Sequence, residues 1–187
     1  MKNMKKILGL MLVSISCANT YVFAYKPEDK DKALSYSRSS LSTEEKNEKW
    51  SLQKANLTLA KLMGANLRDA NLLEADLTGA TLNHASLLGA NLKRADLKRA
   101  KLSLAFLIGA NLTGANLTGA DLFNAHLIGA DLYEANLSKV MLSGANLGWV
   151  KFNDKTIVEK TDFGGAKNMS EEFKIFARSH GALNVPE

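Results

Sequence analysis

Leucine recurs at every fifth residue from Leu52 to Leu147, twenty times without a miss, and alanine stands two positions earlier in all but two units, where Trp50 and Val140 replace it. Between alanine and leucine the residue is Asn or Asp in twelve of the twenty units, so the unit reads Ala-(Asn/Asp)-Leu-x-x. A period of five fits neither regular geometry. On an α-helix, leucines five apart step by about 140° and spiral around the cylinder instead of forming a stripe. On a straight strand, an odd period throws neighbouring leucines onto opposite faces. The chain must therefore bend once per unit. Alanine and leucine share the inner face, Asn or Asp points outward, and the last two residues make a corner. Eight units place glycine second in the corner, at Gly64, Gly79, Gly89, Gly109, Gly114, Gly119, Gly129 and Gly144. A type II turn wants positive φ there, so corners such as Asn83-His84 and Lys93-Arg94 require another turn type or some strain.

Bending the same way at each unit produces a solenoid with a leucine and alanine interior and a polar exterior. Its coils stack by β-type hydrogen bonds about 4.8 Å apart. These tandem units resemble the pentapeptide-repeat family, over about half the chain. The resemblance implies an all-β solenoid: a right-handed, four-sided parallel β-helix with four pentapeptides per coil, here about five coils. Four sides rest on the resemblance alone, since the period would also allow three.

The flanks divide the chain further. Residues 1–24 read as a secretory signal: Lys2, Lys5 and Lys6 precede the apolar run Ile7 to Ile15, and Val22-Phe23-Ala24 offers a cleavage site before Tyr25. The single cysteine supports a rival reading, because Ser14-Ile15-Ser16-Cys17 resembles a lipobox and Cys17 would then carry a lipid. In either case no thiol is left for disulfides or cysteine catalysis in the mature chain. Residues 25–49 hold six basic and six acidic residues with little apolar periodicity and read as a flexible or weakly helical lead-in. Within it Ser42-Thr43-Glu44-Glu45 could cap a short helix that brings Trp50 over the first coil. The repeat region spans 50–165, with decaying phase: Val150-Lys151-Phe152 keeps it, Lys155-Thr156-Ile157 loses the alanine, and Thr161-Asp162-Phe163 has slipped by one residue. The bulk of Phe152 and Phe163 suggests a wider last coil. Residues 166–187 form the end: Ser170-Glu171-Glu172 opens an amphipathic helix with Phe173, Phe176 and Ala177 on one side and Gly181 as its stop. Bare solenoid ends expose strand edges, so this helix reads as a cap.

Charge changes the picture only slightly. The net charge of +5 falls to +2 once the signal, with three lysines and no acid, is removed. With a twenty-residue coil, residue n lies over n+20, and the outward positions form columns. Leu88, Ile108 and Ile128 share one, with Phe106 beside it and Trp149 next along, an apolar series that marks a candidate partner surface. Lys93, Arg94, Lys98, Arg99 and Lys101 fall within one coil as a candidate basic patch for phosphates, lipid headgroups or acidic glycans. Glu74 stacks on Arg94 and Asp121 on Lys101, however, and no aromatics interleave, so a solvated, partly paired face is the better description. Asn71-Asn91-Asn111-Asp131 and Asp76-Asp96-Asn116-Asn136 form ladders whose first role is hydrogen bonding. The Asp-x-Asp-x-Asp spacing of a calcium loop is missing around Asp76 and Asp96.

Chemistry finds no foothold. His84, His126 and His180 are scattered, no zinc spacing, nucleophile elbow or phosphate loop occurs, and a filled interior leaves no pocket. The Asn-Leu-Thr triplets at Asn56, Asn111 and Asn116 follow from the repeat itself. No enzyme, no cofactor and no metal are expected. The expected function is an exported scaffold, periplasmic or secreted or else lipid-anchored through Cys17, that binds a protein, envelope or host-surface partner or a second copy of itself. Family resemblance implies an alternative, mimicry of DNA toward gyrase. That needs a strongly negative exterior, and Trp50 to Phe152 carries ten basic against seven acidic residues. Nucleic acid is not an expected partner, and membrane contact is expected only through the lipid.

Overall fold

The computed structural model describes residues 52–187, together with the backbone of three short strands, Met11–Ile15 (β1), Thr20–Ala24 (β2) and Leu34–Ser37 (β3). These join Ala65–Asn66 (β4) in an antiparallel sheet of order β3-β2-β1-β4, in which Ser14 pairs with Asn66 and Ile15 with Ala65. Cys17, the expected capping segment Ser42 to Lys49 and Trp50 lie outside the described residues.

From Leu52 onward the chain winds as a four-sided parallel β-helix. Parallel bridges join residue n to n+20 from Asn56↔Asp76 through Asp131↔Lys151, which makes a coil twenty residues long. Each unit contributes three inter-coil bonds. The outward residue donates to the alanine carbonyl one coil back, as Asp96 N does to Ala75 O at 2.9 Å. Leucine donates forward, Leu97 N to Asn116 O at 2.7 Å, as does the second corner residue, Arg99 N to Thr118 O at 3.1 Å. A fourth bond closes the corner itself, Ala100 N to Leu97 O at 3.0 Å. These four bonds pair all but the first corner amide and the second corner carbonyl of a unit, so every coil repeats the same backbone pattern and side chains distinguish one coil from another.

The interior is the expected one. Every inward alanine, leucine and valine from Ala65 to Leu147 is at most 1% exposed. We number the sides by their first leucines: side 1 runs through Leu52, side 2 through Leu57, side 3 through Leu62 and side 4 through Leu67.

The corners settle the question left by the non-glycine turns. All second corner residues from Lys54 to Trp149 have positive φ, His84 at 59° and Arg94 at 56° beside Gly89 at 61° and Gly129 at 66°. No second turn type appears. Stacking demands one corner geometry at every level, and the side chains there accept a left-handed conformation that costs roughly 1 kcal/mol each. The outward Asn and Asp oppose this strain with an Asx bond two residues on, such as Thr113 N to Asn111 Oδ1 at 3.0 Å and Phe123 N to Asp121 Oδ1 at 3.0 Å. Bonding between successive amides in a ladder is secondary; Asn91 Nδ2 donates to Asn71 Oδ1 at 3.2 Å.

The phase slip occurs earlier than the sequence suggests. Lys151 pairs with Asp131 at a spacing of twenty, but Ile157 pairs with Asn136 and Asp162 with Met141 at twenty-one. The extra residue thus lies between Lys151 and Ile157. Thr156 takes the alanine place, Ile157 points out at 45% exposure, and Val158 fills the leucine place at 0%. Lys155-Thr156-Ile157 is therefore not a unit with Ile157 inside. Polar side chains absorb the insertion. Glu134 N donates to Asn153 Oδ1 at 3.1 Å, and the buried hydroxyls of Thr156 and Thr161 donate to Leu132 O at 3.0 Å and Leu137 O at 2.6 Å.

The helix α1, Glu171–Ser179, closes the far end. Ser170 Oγ accepts from Phe173 N at 3.2 Å, and Glu171 and Glu172 occupy the positive first turn. Phe173 and Ala177 are fully buried, with Phe173 against Phe152 at 4.7 Å and Phe163 at 5.8 Å between ring centres. Gly181, at φ 74°, lets Ala182 N return to Ala177 O at 3.1 Å, and Leu183 then pairs with Asp162 to cover the last coil.

Candidate interaction surface

Because the interior is filled, recognition falls to the outward columns. Leu88, Ile108 and Ile128 stand in one column at the first corner of side 4, all half-buried. Phe106 lies on the adjoining flat, 40% exposed, its ring stacked on His126 with centres 5.0 Å apart and planes 7° from parallel. Trp149 ends the next column, above Gly129, and is 83% exposed with φ at 54°. The expected apolar series is thus brought together on side 4, although its aliphatic column is partly covered and its aromatic members are the accessible ones.

Side 3 adds apolar positions that the column reading passed over. Leu104, Phe123, Met141 and Met63 are exposed there, Leu104 and Phe123 at the corner that leads into Phe106. The signal was present: each occupies an outward position of its unit, where geometry asks for nothing apolar.

The basic residues also share one coil. Lys93 and Arg94 mark the corner between sides 1 and 2, Lys98 and Arg99 the next corner, and Lys101 the flat of side 3, all exposed. Arg94 Nη1 lies 3.8 Å from Glu74 Oε1, Lys54 Nζ lies 3.5 Å from Glu74 Oε2, and Lys98 Nζ is 2.7 Å from Asp96 Oδ2. Lys101 stacks beside Asp121 without an ion pair; Asp121 Oδ2 instead accepts from Ser103 Oγ at 2.6 Å. These five cations therefore sit among acids spread around the solenoid rather than forming a focused anion site.

Three carboxylates are held below their ordinary range, the exposed Glu171 by Lys174 Nζ donating to its Oε1 at 2.7 Å, and Asp76 and Asp162 by bonds within the stack. The backbone amide and hydroxyl of Thr78 hold Asp76 below its ordinary range, helped by Thr58 Oγ1 donating to Asp76 Oδ2 at 3.0 Å and by nearby Lys98. Asn184 Nδ2, 2.8 Å from Asp162 Oδ1, and the Gly164 amide lower Asp162 in the same way. Both stabilise turns. Among the described residues no group of three or more His, Cys, Asp or Glu is placed to hold a metal ion, and no helix is long and apolar enough to cross a membrane. His84 is exposed at a corner, His126 is stacked under Phe106, and His180 caps α1 with Nδ1 2.8 Å from Phe176 O.

No curated protein matches the chain. Among solved structures, HetL, a pentapeptide repeat protein involved in heterocyst differentiation regulation in the cyanobacterium Nostoc, is 28% identical over 72% of each chain with a TM-score of 0.44. A pentapeptide repeat protein of the Arabidopsis thaliana thylakoid lumen is 30% identical over 57% of this chain and 78% of its own, with a TM-score of 0.45. Trypsin-treated QnrB1, a plasmid-mediated fluoroquinolone resistance protein, is 22% identical over 62% of this chain and 61% of its own, with a TM-score of 0.49. The pentapeptide repeats family matches in eight copies, over residues 51–79, 75–114, 90–127 and 115–154. With more than half the chain covered in that way, and each unit seen as one bent side of the solenoid, this protein belongs to the pentapeptide repeat family.

Proposed function

We propose that the protein is a non-enzymatic, exported scaffold that binds a protein partner at the cell envelope or a host surface through side 4 and its adjoining corner. One observation carries this reading: Trp149 is 83% exposed at a corner whose left-handed φ disfavours a bulky residue, and neither packing nor turn geometry rewards it. Phe106 on the same side adds a second accessible aromatic, the residue class that dominates interface energetics. The filled interior supports binding over catalysis, because substrates need a concave site. Export rests on the charged, apolar and small-residue order of Met1 to Ala24. Cleavage after Ala24 removes β1 and β2, whereas lipidation would anchor the chain through Cys17.

Fractionation of expressing cells tests the location, with globomycin added to distinguish lipoprotein processing from simple cleavage; unprocessed protein in the cytosol refutes export. Pull-down from the envelope fraction, repeated with Phe106→Glu and Trp149→Glu, tests the surface. The expected result is a band lost with both variants and kept with Lys98→Asp. Bands that ignore both substitutions refute side 4 as the binding face. Inhibition of gyrase supercoiling at micromolar protein would refute the envelope-scaffold reading in favour of DNA mimicry.

A further inference from the structure

The flat of side 3 carries a charge order that no other side shares. Its outward column runs Lys61, Thr81, Lys101, Asp121, Met141, Asp162, each bridged to the next. Both bases stand in the first half and both acids in the second. None of the four has an ion-pair partner among the described residues, although Lys101 and Asp121 are neighbours. The column through Asp76 and Asp96 has acids alone, the column through Phe106 ends in one lysine, and that through Asn71 holds a single acid and base together at one end. Side 3 also exposes Met141 at 48% and Phe123 at 49%.

We infer that side 3 is a self-association face, on which a second copy of this chain packs antiparallel about a two-fold axis passing between the levels of Lys101 and Asp121. Reversal about that axis places Lys101 against the partner copy's Asp121 and Lys61 against its Asp162, each pair formed twice by symmetry. Met141 then faces Thr81, and Phe123 at the corner faces Ser103. Arg99, on the other flanking corner, faces Gly119, so no like charges meet. Parallel packing would instead set each lysine against itself and each aspartate against itself, which selects the antiparallel arrangement. Sliding the partner copy by one coil removes both kinds of charge pair and sets Lys101 against itself in one direction or Asp121 against itself in the other, so the register is selected as well. The occupant is a second copy because the same column supplies both halves of the complementarity.

The test uses an internal ruler. Five bridged steps separate Lys61 from Asp162, about 24 Å at 4.8 Å per coil, far beyond a zero-length carbodiimide cross-link within one chain. The expected result is a dimer by sedimentation equilibrium at tens of micromolar, with a Lys61–Asp162 cross-linked peptide identified by mass spectrometry. Lys61→Asp with Lys101→Asp should weaken association about tenfold or more, while leaving unaltered the melting transition of protein dilute enough to be monomeric, because both lysines are exposed. Mixing that variant with Asp121→Lys, Asp162→Lys protein should restore a heterodimer. A wild-type monomer at concentrations on the order of 100 µM overturns the proposal, as does a dimer that lacks the cross-link or survives the lysine reversals. None of these readouts depends on side 4 or on export.

Discussion

Replacing Val158 and Ile157 in turn by alanine tests the point at which the coil lengthens. Val158 is fully buried in a leucine place, while Ile157 is 45% exposed. Val158→Ala removes two buried carbons, about 1.6 kcal/mol of transfer free energy at roughly 0.8 kcal/mol each, and adds a cavity term because the stacked backbone cannot collapse around it. We expect a loss of about 2–3 kcal/mol. Ile157→Ala removes three carbons already half in water and should cost about 1 kcal/mol. The assay is urea unfolding followed by circular dichroism, accepted only where the slope is unchanged, since solenoids can unfold in parts. With a slope of about 2 kcal/mol/M, Val158→Ala lowers the midpoint by about 1 M and Ile157→Ala by about half as much. Equal losses, or a larger loss for Ile157→Ala, would refute the insertion between Lys151 and Ile157.

Three further outcomes follow from the same geometry. Leu97→Asp puts an unpartnered carboxylate into the stack and should cost about 4 kcal/mol or more, whereas Lys98→Asp on the exposed corner should stay within about 1 kcal/mol; equal melting temperatures would mean that inside and outside are reversed. His84→Gly relieves a left-handed corner at φ 59° and should raise stability by about 0.5–1 kcal/mol, checked by thermal melting; a drop would show that the histidine side chain contributes to its corner. Asp162 is held below its ordinary range by Asn184 and Gly164. Its contribution is therefore complete above the unfolded carboxylate range and lost as pH falls through the lower folded value, so Asp162→Asn should flatten the fall in melting temperature below about pH 4. Parallel wild-type and variant curves from pH 6 to pH 2 would contradict this.

Sequence alone determined the inside and outside of every unit from Leu52 to Leu147, because a strict period of five admits only a chain that bends once per unit. It determined the capped helix after Ser170 for a similar local reason: hydroxyl, acids, apolar spacing and glycine all lie within one short stretch. The apolar and basic groupings were legible only through the family resemblance, which implied the coil of twenty that converts sequence spacing into neighbours; the period of five by itself would also allow three sides, and the bridges between coils decide for four. Tertiary structure decided what depends on stacking. Asn83-His84 and Lys93-Arg94 taken alone prefer other turns, and only the coils above and below impose positive φ on them. The position of the extra residue near Asn153 was undetermined locally, because Ile157 and Val158 are equally apolar and only pairing with Asn136 chooses which one points inward. The same holds for the surface. Whether Lys101 pairs with Asp121 is a contest with Ser103 that no spacing reveals, and the charge order of side 3 exists only once Lys61 and Asp162, a hundred residues apart, stand in one column.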